Sequence, residues 1–253
     1  DISELGARLS VRLDQLVIRR DDHPEVTTPL EELGVLIVSH KGVIYTHAVL
    51  AELAARGGVF VACDDRHLPV AMMIPLEGHH LQSERFAQQA AASKPTQKRL
   101  WQQLVQAKVA LQGRVLRDFR GSDHGLLRLA GEVRSGDSDN VEAQASRRYW
   151  QFLFDDPNFR RDREAEDQNR LLNYGYAVLR AMVARAICAA GLHPSLGIHH
   201  HNRYDAFPLA DDLMEPYRPI VDRAVVLVVD AYGPQVELNR EVKGMIVGAL
   251  MTR

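Results

Sequence analysis

Three consecutive histidines, His199, His200 and His201, stand inside the segment GIHHHNRYDAFPLADDLMEPYRP, and Asp211, Asp212 and Glu215 follow at short range. Imidazole nitrogen beside carboxylate oxygen is a donor set for a divalent ion, and a mixed set of this kind suits Mn²⁺ and tolerates Mg²⁺. Neighbouring residues of an extended segment point in different directions, so at most one of the three histidines faces a given ion. Asp212 and Glu215 lie three residues apart at the start of a predicted helix, which puts their carboxylates on one face. The same acids also serve as favourable negative charge near a helix N-terminus, and spacing alone does not separate the two roles. Glu142, in the first turn of VEAQASRRYWQFLF, carries the same ambiguity. Other chemistry finds little support. The two cysteines, Cys63 and Cys188, are far apart and form no paired motif, which excludes a structural zinc finger. No Gly-rich phosphate loop, nucleophile-elbow serine or HExxH pattern occurs.

Two kinds of segment must position these residues. Up to about residue 80 the pattern is that of strands: 9–18 (LSVRLDQLVI) alternates through Leu9, Val11 and Leu13, while 34–38 and 59–62 are short β-branched runs bounded by Gly or Pro. Between the last two, Val49, Leu50 and Leu53 recur at helical spacing within 46–56, ahead of Gly57 and Gly58. Residues 74–83 lose periodicity and hold Pro75 and Gly78, which places a domain boundary there. Helix signals dominate afterwards. Trp101, Leu104, Val105, Lys108 and Leu111 or Gln112 form one stripe, and Asp139 or Asn140 is placed to cap a helix over 141–154. The longest helix is expected over 165–190, with Leu172, Tyr176, Leu179, Val183 and Ile187 as its core stripe and Gly191 as its stop. Further helices are expected over 209–217 and 219–229, and a loop over 120–139. The fold class is therefore α+β: a small β-rich N-terminal domain, 1–80, and a larger all-α C-terminal domain, 81–253.

The 253 residues are 46% hydrophobic and 25% charged, with a formal net charge of -2. This is a globular composition, neither disordered nor disulfide-stapled, and it speaks of a reducing, cytoplasmic setting. No run of about 18 uncharged apolar residues suggests a membrane span. DISELGARLS has no basic stretch followed by an apolar one and so does not read as a signal peptide, while the missing initiator Met leaves room for residues upstream. Near neutrality hides a division. Residues 1–80 hold seven basic and twelve acidic residues, a net of -5, whereas 85–120 hold eight basic residues against Asp118 alone, a net of +7. Such a run is either a solvated helix face or a surface for polyanions.

Residue spacing reaches a two-part protein with a candidate carboxylate and histidine metal site. A longer pattern goes further. GLHPSLGIHHHNRYDAFPLADDLMEPYRPIVD, NVEAQASRRYW and LLNYGYAVL, with TPLEELGVLIV, GVFVACDD and LPVAM nearer the N-terminus, closely resemble the CRISPR-associated endonuclease and integrase of spacer acquisition, the family called Cas-one. The resemblance covers nearly the whole chain and is closest to members that accompany RNA-guided single-protein effector nucleases.

That resemblance implies an N-terminal β-rich domain for dimerisation and DNA positioning, a helical catalytic domain, and a Mg²⁺ or Mn²⁺ site of Glu, His and a second acid. Glu142, followed by Ala143, Arg147 and Tyr149, matches the family Glu, although many relatives have Gly where Ala143 stands. The family Gly-x-x-His element selects His200 from the triplet, and the Asp-x-x-Glu-Pro element selects Glu215. Asp212 and His201 are implied as auxiliaries, the first supporting the metal or a water, the second touching DNA. The implied activity is insertion of short foreign DNA into the CRISPR array by attack of a 3′ hydroxyl on a phosphodiester. The implied partners are double-stranded DNA (prespacer and leader-repeat), a second copy of the chain, and a dimer of the small protein Cas-two, in a prokaryotic cytoplasm with no membrane. Lys94, Lys98, Arg99, Lys108, Arg114, Arg147 and Arg148 then become candidates for phosphate contact. Two competing readings are a catalytically inactive DNA-binding scaffold of the same complex and an unrelated helical metalloenzyme acting on small molecules. Retention of all three site residues argues against the first, and the basic run with the extended motifs against the second.

Overall fold

A computed structural model describes residues 1–21, 23–64, 69–200 and 205–251. The chain divides into two compact units, 1–89 with 180–194 and 90–179 with 195–253. The division expected at residue 80 thus falls nine residues later, and a returning segment, 180–194, belongs with the first unit.

In the first unit, β1 (Arg8–Arg12) and β2 (Gln15–Arg19) pair antiparallel with Arg12 opposite Gln15. The run 9–18 is therefore a hairpin and not one strand. Its turn residues Leu13 and Asp14 have φ of 49° and 59°, the left-handed backbone of a two-residue hairpin turn that Gly or Asn ordinarily signals. Leu13, at the tip, is 88% exposed. β3 (Val26–Pro29) pairs with β2, β4 (Val35–Val38) begins a second sheet, and β5 (Ile44–Tyr45) runs parallel to β1. After α1 (His47–Ala55), β6 (Val59–Cys63) pairs parallel with β4, and β7 (Pro69–Met73) pairs antiparallel with β6. The sheet orders are β3-β2-β1-β5 and β4-β6-β7. Alternate residues of the strands and one stripe of α1 bury a common core of Leu9, Leu16, Leu36, Val38, Val49, Leu53 and Phe60. The helix α2 (Gln82–Ala90) follows.

The second unit is helical. α3 (Lys94–Arg120) has Ser93 as N-cap, Pro95 in its first turn, and Gly121 at φ 71° as its stop. Trp101, Val105, Lys108, Gln112, Val115 and Leu116 are buried along it, one face at helical spacing. α4 (Leu126–Glu132) lies within the stretch expected to be a loop, and α5 (Val141–Leu153) packs on α3. α6 (Asn169–Ala189) has 21 residues to the 27 of α3, so the longest helix is α3. Its residues up to Leu179 belong to the second unit and those from Arg180 to the first. α7 (Pro208–Met214), a 3₁₀ turn at Glu215–Tyr217, α8 (Arg218–Tyr232) and α9 (Arg240–Met251) complete the chain order. Seven strands among the described residues, followed by a mostly helical remainder, make this an α+β protein. No described helix is long and apolar enough to cross a membrane, and Cys63 and Cys188 are not joined in a disulfide.

Candidate active site

Glu142 is presented by the start of α5. Asn140, at the N-cap position, has φ 53° and its side chain makes no cap. The capping group is Asp137, whose carboxylate accepts from the backbone N–H of Val141 (2.8 Å) and of Glu142 (3.0 Å). A carboxylate on these unpaired amide groups stabilises the first turn by about 1 kcal/mol and fixes the backbone that carries Glu142. Arg120 holds the other end of α5 through the Leu153 carbonyl (2.7 Å).

His200 is held by Asp212. That carboxylate is fully buried and accepts from the backbone N–H groups of Ile198 (2.5 Å), His199 (2.9 Å) and His200 (3.2 Å). The His200 ring nitrogen Nδ1 lies 2.6 Å from Asp212 Oδ1. A carboxylate can only accept, so in the neutral ring Nδ1 carries the proton and the lone pair is on Nε2. Gly197 makes this turn possible: a Cβ there would sit 2.6 Å from the His200 carbonyl oxygen, closer than any side chain tolerates. The buried Trp101 stacks on the His199 ring at 4.1 Å and meets the His200 ring edge-on at 5.6 Å. Hydrogen bonding to Asp212 raises the His200 pKa above the ordinary histidine value, against burial, with help from the charges of Asp212, Glu215 and Glu142.

Glu215 follows α7 directly and is buried. Arg218 Nε donates to its Oε1 at 2.8 Å. Its Oε2 has no hydrogen-bond donor of good geometry, and the Lys108 ammonium sits 2.5 Å from it as an ion pair. Lys108 Nζ also donates to Glu142 Oε1 at 2.6 Å, so one cation joins carboxylates from two separate helical segments. Burial works to raise the Glu215 pKa, but Arg218, Lys108 and His200 outweigh it and hold the carboxyl below its ordinary value. Burial likewise works against the charge on Lys108, and Glu215 and Glu142 overcome it to keep the pKa above that of an ordinary lysine.

A second buried carboxylate stands behind the first. Asp222 on α8 accepts from the hydroxyls of Tyr149 (3.0 Å) and Tyr176, and the Tyr176 ring carries the Arg218 guanidinium at 4.6 Å and that of Arg161 at 5.5 Å. Burial raises the Asp222 pKa to about 6 against both hydroxyls and both guanidinium groups. Tyr149, Tyr174 and Tyr176 are buried core residues, as their helical spacing suggests.

Of the residues singled out from the sequence, Glu142 and Glu215 meet at Lys108, and His200 lies within electrostatic reach of both while bonded to Asp212. Among the described residues no three His, Cys, Asp or Glu side chains form a ready metal-holding group: Lys108 stands between the two glutamates, and Asp212 takes one nitrogen of His200. His201 lies outside the described residues. Lys94, Lys98, Arg99, Arg114 and Arg147 are exposed. Lys108 is not part of an open phosphate-contacting face, because it is 7% exposed and its charge is taken up by two carboxylates. Arg148 is half-buried and donates to the His124 carbonyl at 3.0 Å, an internal bond that keeps its head from reaching outward. Spacing missed Asp137 and Arg218, and it placed Trp101 on a helical stripe without giving it a part in the site. For Lys108 a signal was present, a lysine on the same stripe as Trp101 and Val105.

The family described as "CRISPR associated protein Cas1" matches residues 2–233. A CRISPR-associated endonuclease Cas1 from Neisseria meningitidis serogroup C (strain 8013) is 37% identical over 248 residues, 97% of this chain and 80% of the relative. Among solved structures, a casposase bound to integration product superposes with a TM-score of 0.77 at 21% identity, covering 99% of this chain and 80% of that one. A Cas6-RT-Cas1–Cas2 complex chain gives 0.76 at 19% identity, covering 99% of this chain and 32% of the larger one. The structural likenesses establish the fold, and the sequence match along almost the whole length places this chain in the CRISPR-associated Cas1 family.

Proposed function

We propose that the protein is a divalent-metal-dependent DNA endonuclease and integrase of CRISPR adaptation, which inserts short foreign DNA into the CRISPR array by attack of a 3′ hydroxyl on a phosphodiester. The observation that carries this reading is the meeting of Glu142 and Glu215 on one buried cation. His200 stands beside them, its free nitrogen fixed by Asp212. Glu215 Oε2 is buried and already faces a cation, the Lys108 ammonium at 2.5 Å, so it is an anionic oxygen in a place where positive charge is held. Two carboxylates and one imidazole form a donor set for Mg²⁺ or Mn²⁺, so Glu142, His200 and Glu215 fit the ion. Held by Glu142, His200 and Glu215, such an ion would supply Lewis-acid neutralisation of phosphate charge and stabilisation of a leaving oxyanion.

The chain's own groups have defined parts. Asp212 keeps the proton on Nδ1 and leaves the Nε2 lone pair as the ligand. Arg218 keeps Glu215 ionised and turns Oε2 toward Lys108. Asp137 sets the backbone from which Glu142 projects. The exposed Lys94, Lys98, Arg99, Arg114 and Arg147 are available to DNA phosphates, contacts that position without reading sequence. The casposase with its integration product and the Cas1–Cas2 assembly support DNA as substrate and Cas2 as partner. A homodimer flanking a Cas2 dimer, prespacer and leader-repeat DNA as ligands, and a cytoplasmic prokaryotic location belong to the same proposal.

The test mixes the protein with Cas2, Mn²⁺, labelled prespacer and a supercoiled plasmid bearing leader and repeat. Glu142→Ala, His200→Ala and Glu215→Ala are each expected to abolish joining while the protein stays folded. A folded variant of any of the three that joins at the wild-type rate removes that residue from the site.

A further inference from the structure

The ammonium of Lys108 occupies the place where the reading above puts a metal ion. Glu215 has two oxygens. Oε1 is taken by Arg218 Nε at 2.8 Å, and Oε2 is the one Lys108 faces at 2.5 Å. Both oxygens of Glu215 therefore already face a cation, and an ion that uses Oε2 meets the Lys108 ammonium directly. At Glu142 the same ammonium holds Oε1 at 2.6 Å. The lysine stem reaches this point from the middle of α3 between Val105, Val109 and Gln112, all buried, so its head has little freedom to share the oxygens from another angle. A second cation on the same oxygens would come within about one ion-pair length of the first, and in a poorly solvated site that repulsion is several times what water would allow.

We propose that Lys108 is a built-in occupant of the ion site, an ammonium that neutralises Glu142 and Glu215 until a divalent ion displaces it. This rests on the assignment of Glu142, His200 and Glu215 as ligands. The device has a use in DNA binding, because a bare pair of carboxylates, one buried and one partly exposed, repels the phosphate backbone that the site must admit, whereas a neutralised pair does not. It also sets a lower metal affinity than the three ligands alone would give. By reciprocity, whatever the ion loses in expelling Lys108 is what Lys108 loses when the ion binds.

The experiment measures Mn²⁺ binding by calorimetry on the purified full chain, without DNA, at pH 8. Lys108→Met is expected to bind at least about tenfold more tightly than the wild type, within the usual range of such couplings. Lys108→Arg, which retains a cation, is expected to show no gain. In metal-free buffer Lys108→Met should unfold at a lower temperature than the wild type, and saturating Mn²⁺ should raise it by more. Lys108→Gln, smaller and polar, replaces Met if that variant does not fold. Equal or weaker binding by the uncharged variants, with wild-type binding still abolished by Glu215→Ala, overturns the role of Lys108 and leaves the ligand assignment standing. Mn²⁺ binding that does not depend on Glu215 in either background overturns both.

Discussion

Glu215 and Asp222 stand seven residues apart, both buried and both within reach of Arg218, yet burial has opposite outcomes for them. Glu215 receives its neighbours as full charges: Arg218 bonds one oxygen, Lys108 faces the other, and the carboxyl is held below its ordinary pKa. Asp222 receives neutral hydroxyls from Tyr149 and Tyr176, with the guanidinium groups of Arg218 and Arg161 reaching it across the Tyr176 ring, and desolvation prevails at about 6. Direct cation contacts outweigh desolvation at Glu215, and two hydroxyl hydrogen bonds with more distant guanidinium groups do not at Asp222. The first acid is suited to hold an ion, the second to tie three helices together.

Exchanging each acid for its amide should separate the two roles. Glu215→Gln removes the charge that Lys108 and Arg218 share, and stranding buried cations costs about 3 kcal/mol of stability. Joining should fall by at least about a hundredfold. Asp222→Asn keeps the shape of a group that has no ligand role and should join near the wild-type rate. Urea unfolding and the joining assay together decide: a folded Asp222→Asn that cannot join would erase the distinction.

The pH dependence sharpens it. Asp222 has a folded pKa raised above its unfolded value, so the folded state binds the proton more tightly. Its stabilising contribution is full below pH 3.8 and is lost as pH rises through about 6. Between pH 5 and pH 8 this one group should therefore lower wild-type stability by about 1 kcal/mol relative to Asp222→Asn, which does not titrate. Unfolding free energies of both proteins at the two pH values measure it, and a difference that is flat or of opposite sign places the Asp222 pKa elsewhere.

Much of the strand-bearing unit was legible because 34–38, 46–56 and 59–62 satisfy local periodicity without outside help. The hairpin at Leu13 and Asp14 was not, since neither residue announces a left-handed turn. α4 escaped because seven residues in a Gly- and Asp-rich stretch give less than two turns of pattern. At the site, Glu142, His200, Asp212 and Glu215 were located by type and by the resemblance, but their partners were not. Whether a histidine in a run of three turns toward an ion or toward Asp212 depends on a carboxylate twelve residues away. Lys108 counted equally toward an apolar stripe and a basic run, and only packing decided that its charge faces inward.

Tyr149→Phe makes the smallest test of the comparison. The substitution removes one hydroxyl from a fully buried ring, leaves the packing volume nearly unchanged, and leaves Asp222 with Tyr176 as its remaining hydroxyl donor. A hydrogen bond to a carboxylate contributes more when the acid is ionised than when it is protonated, so losing it raises the Asp222 pKa further. The loss of stability should be about 1–2 kcal/mol at pH 8, in the range for a bond to a charged group, and smaller at pH 5. Joining should be unaffected, because no atom of Tyr149 bonds to Glu142, His200 or Glu215. If joining fell in step with Glu215→Gln while the fold held, the tyrosine cluster would be part of the reaction site and the two buried acids would act as one unit.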